Sequence, residues 1–233
     1  MSAKKPALHA ILAQGLLPLF YSNSKTVSFD VVRTLYRAGI RAIEYTNRGS
    51  SALENLTEMK KVMAVEAPDL HLGIGTIKSA DEARDFIKAG ADFIVAPIVN
   101  PEVAAVAKEA GLLWMPGCMT PTEIYQAQQL DAKLIKLFPA NILGPEFVRS
   151  IRVLFRGQLF MPTGGVEIDI DNIRKWFQSG VNAVGMGSKL ISDDIMIDAK
   201  YDFLYQETVR AVEIVRIVKD EINPFNRNDP FNR

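Results

Sequence analysis

The chain has 233 residues, 48% of them hydrophobic and 23% charged, with a formal net charge of +0. That length and apolar content suit a single α/β barrel with a large core. Neutrality, without any basic cluster interleaved with aromatics, argues against a general electrostatic grip on nucleic acid or anionic membrane. One cysteine, Cys118, cannot form an internal disulfide and rules out a multi-cysteine metal site. The N-terminal stretch has neither a signal's hydrophobic core nor a cleavage site, and no run approaches the ~20 apolar residues of a membrane span. A soluble, cytoplasmic protein is expected.

In chain order, a short helix over 8–14 precedes a strand over 16–22. Helices over 28–38, 51–67, 79–89, 101–110 and 121–130 then alternate with strands over 42–47, 71–77, 93–99, 113–119 and 134–140. Two further strands follow, over 159–165 and 183–190. Ser79 with Glu82, and Thr120 with Glu123, carry the signature of a capping box. Gly39, Gly90, Gly111 and Gly180 stand where helices should stop.

Eight near-continuous apolar strands separated by helices predict a parallel sheet covered on both faces. Closure of that sheet gives a (β/α)8 TIM barrel over 1–233, as one domain, with the extra N-terminal helix capping its bottom. A doubly wound open sheet is the runner-up, disfavoured because no Gly-x-Gly-x-x-Gly follows the first strand. The tail at about 221–233 repeats Pro-Phe-Asn-Arg, at Pro224 and again at Pro230, and reads as a non-barrel segment.

The run Leu134-Ile135-Lys136-Leu137-Phe138-Pro139-Ala140 carries the strongest chemical signal. Alternation puts Lys136 on one face with Leu134 and Phe138. An ammonium there is costly unless paired or deprotonated, so burial favours a neutral amine suited to Schiff-base chemistry. The plain alternative is a packed stem with its head snorkelling to water.

A barrel collects its chemistry at the C-terminal ends of the strands, with phosphate bound after strands seven and eight. Strand two ends in Glu44-Tyr45-Thr46-Asn47-Arg48, and alternation places Glu44, Thr46 and Arg48 together, either as mutually neutralising charges or as a base and a carboxylate clamp. Strand three ends in Gly73-Ile74-Gly75-Thr76, where the glycines allow close approach and Thr76 can donate to a substrate oxygen. Strands seven and eight end in Thr163-Gly164-Gly165 and Gly185-Met186-Gly187-Ser188, where backbone N–H groups can converge on an anion. His71, at the bottom of strand three, and His9, before strand one, are poorly placed to be general bases. Cys118 reads as a buried hydrophobe. The acidic residues form no metal-ligand cluster at strand ends, so no metal and no cofactor are expected.

Taken together, these stretches, with Pro116-Gly117, Thr120-Pro121-Thr122-Glu123 and Pro162, resemble the class I aldolases that cleave 2-keto-3-deoxy-6-phosphogluconate and their 4-hydroxy-2-oxoglutarate aldolase relatives. The resemblance spans roughly 8–215. It implies that Lys136 forms a Schiff base with the keto carbon and that Glu44 is the general acid/base, acting through water. It implies that Arg48 and Thr76 hold the pyruvyl carboxylate and that Phe138 packs on the reacting end. Gly164, Gly165, Gly187 and Ser188 are implied to cradle the distal phosphate, with Thr163 near a substrate hydroxyl. It further implies a homotrimer in Entner-Doudoroff carbohydrate metabolism, whose partner is a phosphorylated keto acid.

Several places depart from the family pattern, among them Lys78, close after Thr76, and a tail that extends beyond the family's usual end. Strand four reads Ala96-Pro97-Ile98-Val99, where a serine before the proline is usual, and Lys189 replaces a frequent aromatic. Both leave the length and configuration of the substrate open. Phosphogalactonate-series and unphosphorylated 4-hydroxy-2-oxoglutarate substrates remain, as do a phosphate-binding isomerase, for which only Glu44 is at hand as acid/base, and a binding barrel without catalysis.

Overall fold

The apolar runs become short parallel strands in the computed structural model, which describes residues 4–222. They are β1 (Leu16–Phe20), β2 (Ala42–Thr46), β3 (His71–Gly75), β4 (Phe93–Val95), β5 (Leu113–Met115), β6 (Gly117–Cys118), β7 (Leu134–Leu137), β8 (Leu159–Pro162) and β9 (Val184–Met186). Their ladders run β5-β4-β3-β2-β1-β9 and β6-β7-β8, all parallel. Only Pro116 separates β5 from β6. Proline has no N–H for the ladder, but its carbonyl still accepts from Lys136 N at 2.9 Å. A parallel bridge between Thr163 and Gly185 joins β8 to β9. The sheet therefore closes as a ring of eight strand positions, the TIM-barrel architecture expected.

The helices are α1 (Lys4–Gln14), α2 (Lys25–Arg37), α3 (Ala52–Glu66), α4 (Ala80–Lys88), α5 (Pro101–Glu109), α6 (Pro121–Gln129), α7 (Ala140–Ile151), α8 (Ile170–Ser179), α9 (Asp193–Ile197) and α10 (Tyr201–Ile222). Both capping boxes form, at Ser79 with Glu82 and at Thr120 with Glu123. Met119 and Thr120 N–H groups donate to Glu123 at 2.7 and 2.8 Å. Burial opposes ionisation of that carboxyl, but these donors prevail and its pKa is lowered. Gly180 ends α8 at φ 100, the left-handed conformation that favours glycine there.

The expected boundaries differ from those observed in a consistent way. Every strand is shorter at its C-terminal end, because the apolar run continues past the last ladder hydrogen bond into the loop that lines the mouth. α2 starts at Lys25 and not at residue 28, since Ser24 caps it by accepting from Val27 N. The Pro-Phe-Asn-Arg repeats fall within 223–233, outside the described residues, while 221 and 222 belong to α10.

Two apolar cores follow from strand alternation. One fills the layer between sheet and helices, with Tyr45, Leu72, Ile135 and Phe160 among its members. The other is the barrel interior, built from Leu17, Ala42, Phe93, Val95, Leu113, Met115, Leu134, Met161 and Ala183. Ala7 and Ile11 of α1 join that inner core and close the bottom, as the sequence led us to expect. Each larger side chain among them, Leu, Ile, Val, Phe or Met, contributes about 1.5–3 kcal/mol of burial. Gln14 secures the plug: its amide donates to Ala42 O at 2.9 Å and accepts from Arg41 N at 2.9 Å. No described helix is long and apolar enough to cross a membrane.

Candidate active site

Lys136 lies on β7 directly beside Gly117 of β6 and Met161 of β8 in the ladder. With Leu134 one step below it in the inner core, alternation aims the lysine into the barrel. It is 6% exposed, and Glu44 of β2 is 1% exposed. Lys136 Nζ donates to Glu44 Oε1 at 3.4 Å, and Glu44 Oε2 has no hydrogen-bond partner. A buried carboxylate oxygen without a protein partner is free to accept a hydrogen bond. The Phe138 ring, 37% exposed, stands 5.4 Å from the ammonium and gives it a π face at the mouth.

Glycines make this arrangement possible. A Cβ at Gly75 would collide with the Glu44 carboxyl, 2.7 Å from its Cδ. A Cβ at Gly73 would instead strike the Phe93 ring, 2.5 Å from Cγ. The close approach expected of this glycine pair is therefore to two different side chains: one clears the carboxylate, the other the apolar floor. Gly117 is needed for a backbone approach, since its Cβ would lie 2.6 Å from the Pro97 carbonyl carbon.

Thr76 follows at the end of β3, half-buried, with φ 65. A β-branched residue in the left-handed region is strained by about 1–3 kcal/mol, and such residues cluster at ligand sites. Thr46 is fully buried and bonds Phe20 O at 3.3 Å.

A second group of residues surrounds a cavity of about 440 Å³ that neither Lys136 nor Glu44 lines. Arg48, Thr163, Gly164, Gly165, Gly187 and Ser188 all line it. Arg48 lies beyond the end of β2, exposed, so it joins the glycine loops and not the face shared by Glu44 and Thr46. Gly164 and Gly165 both have positive φ, at 98 and 73, and a Cβ on Gly165 would lie 2.9 Å from Asn141 Cα. Thr163 is buried with its hydroxyl unpartnered, and the absent Cβ of Gly185 leaves it room.

The structure thus gathers most of the sequence-derived residues into a buried amine–carboxylate pair and a glycine-lined cradle. Sequence reasoning missed Tyr21, which enters the cradle from the loop after β1, and Asp193 at the start of α9. Its place one residue beyond the end of β1 was the only signal for Tyr21. Its ring sits 5.7 Å from Tyr45, which holds that loop by donating to Ser22 O at 2.7 Å.

Cys118 is buried, and burial with the nearby Glu123 charge pushes its thiol up to about 12. His71 begins β3 at the bottom. Among the described residues no three His, Cys, Asp or Glu side chains form a group that could hold a metal.

The chain is similar to known aldolases. Residues 9–206 match the family model for KDPG and KHG aldolases. The 2-dehydro-3-deoxy-phosphogluconate aldolase of Treponema pallidum (strain Nichols) is 33% identical over 140 residues, 60% of this chain; the aligned stretch spans 65% of that enzyme. A solved 4-hydroxy-2-oxoglutarate/2-dehydro-3-deoxyphosphogluconate aldolase from TTHB1 is 30% identical, covering 90% of this chain and 98% of its own, with a TM-score of 0.76. A KDPG aldolase from Legionella pneumophila, with pyruvate captured as a covalent carbinolamine, has the same fold at 21% identity, TM-score 0.79, over 88% of this chain and 97% of its own.

Proposed function

The chain belongs to the KDPG and KHG aldolase family, and on that premise we propose that it cleaves 2-keto-3-deoxy-6-phosphogluconate to pyruvate and glyceraldehyde 3-phosphate. The observation that carries this reading is the buried pair, Lys136 Nζ at 3.4 Å from Glu44 Oε1 beneath the mouth. The pyruvate carbinolamine of the Legionella pneumophila enzyme supports the same chemistry.

Lys136 attacks the keto carbon, and water leaves to give a protonated imine. That imine is an electron sink. Removal of the proton from the fourth carbon's hydroxyl lets the bond between the third and fourth carbons break, giving the aldehyde and an enamine. Glu44, through a water at its open oxygen, takes the first proton and returns one to the enamine carbon. Hydrolysis of the resulting imine releases pyruvate and restores the amine.

Thr76, at the mouth, holds the pyruvyl carboxylate, with Phe138 packed on the reacting end. Arg48 stands among the glycine loops, so within this reading it serves the charged substrate from the cradle side. Gly164, Gly165, Gly187 and Ser188 bind the phosphate through backbone N–H groups and a hydroxyl. Thr163 meets a substrate hydroxyl with its open oxygen. Homotrimeric assembly, cytoplasmic location and the Entner-Doudoroff role are part of the same proposal and rest on the family.

Pyruvate release from three acids tests the substrate. The phosphogluconate-series acid should give the highest kcat/KM, ahead of its galactonate-series epimer and of 4-hydroxy-2-oxoglutarate. Equal or faster turnover of the unphosphorylated acid would contradict it.

A further inference from the structure

Three charged side chains line the glycine cradle: Arg48, Asp193 and Lys189. Arg48 and Asp193 cancel formally, so Lys189 decides whether the cradle offers an anion a net positive charge. In the structure Lys189 is held outside that task. Its Nζ pairs with Glu167 Oε1 at 2.9 Å, linking the loop after β9 to the loop after β8. Those loops also carry the cradle glycines, Gly164, Gly165 and Gly187.

The pair is 59% and 51% exposed at its two side chains. At that exposure an ion pair stabilises little and is exchanged readily for a stronger partner. A phosphate dianion between the loops is such a partner, because it carries up to two negative charges against the carboxylate's one and is held at the same time by the loop N–H groups. The flexible lysine stem can follow the ligand without backbone movement.

We propose that Lys189 is a specificity-determining residue that leaves Glu167 to bind the substrate's distal phosphate, with Glu167 as its competitor. This rests on the aldolase reading and deepens it. It assigns this chain's recognition of a phosphorylated aldehyde half to a side chain, in addition to the backbone loops.

The test is steady-state kinetics on the phosphorylated six-carbon keto acid for the unaltered chain, Lys189→Met and Glu167→Gln. Lys189→Met should raise KM about 10-fold, with kcat changed far less, the size expected for one charge-assisted phosphate contact. Glu167→Gln, which frees the lysine, should lower KM by about 2-fold. The opposite signs separate ligand binding from simple bracing, since a brace lost from either side would raise KM in both variants. A rise in both, or a Lys189→Met KM within about 2-fold of the unaltered value, overturns the assignment. Pyruvate trapping by borohydride on the same preparations keeps the two readings apart. If the unaltered chain traps none, the aldolase reading fails; if it traps and the signs disagree, only the lysine assignment fails.

Discussion

The lower and upper halves of the barrel interior come from the same strands and alternate positions, yet they are chemically opposite. The lower half holds Leu17, Ala42, Phe93, Leu113, Leu134 and Ala183 under the plug of Ala7 and Ile11. Two residues further along, β2 and β7 present Glu44 and Lys136, with Gly75 ending β3 and Thr163 just past β8, while β4 and β5 stay apolar with Val95 and Met115. Both halves are buried, so burial alone separates nothing. What differs is satisfaction: the floor is apolar and packed, while above it Glu44 Oε2 and Thr163 Oγ1 have no partner. The floor accounts for the fold, and the layer above it is where the proposed chemistry sits.

The comparison can be broken at chosen residues. The largest effect should come from Glu44→Gln, which keeps the shape but removes the base. Turnover should fall about 10²–10⁴-fold, while pyruvate trapping persists. Near-normal turnover would move the proton chemistry elsewhere.

β3 offers a sharper cut, because Gly73 and Gly75 face the two halves. Gly75→Ala pushes a methyl against the Glu44 carboxyl and should lower kcat by about 10²-fold, through a displacement on the order of 1 Å. Gly73→Ala presses on Phe93 instead. It should cost about 1–3 kcal/mol of stability by overpacking, read by denaturant unfolding, with a much smaller change in kcat. If the two variants lose activity and stability in equal proportion, the division between halves is wrong.

Much of this was legible in the residues themselves. Apolar runs alternating with capped helices specify the barrel, and Lys136 stands out because its neighbours on both sides are apolar. The extra helix was visible, but its tie to the sheet through Gln14 was not, since one glutamine in an apolar stretch says nothing about where its amide points. The strand ends were overread because hydrophobicity does not register the loss of a ladder hydrogen bond.

That loss also explains Arg48. Alternation placed it beside Glu44, but β2 stops at Thr46 and the chain turns, so Arg48 joins the cradle. The distinct reasons for Gly73 and Gly75 were equally hidden, because each depends on a side chain from another strand. Lys189 appeared in the sequence only as a departure from a pattern. Its ion pair with Glu167 exists because two loops, 22 residues apart, meet at the mouth.

The central claim is that the buried amine of Lys136 reacts with a keto acid. Borohydride reduction with saturating pyruvate, followed by mass spectrometry, tests it most directly. The account predicts one reduced pyruvyl adduct per chain, on the peptide carrying Lys136 and absent from Lys136→Met. No adduct, or an adduct that survives the substitution, would contradict it.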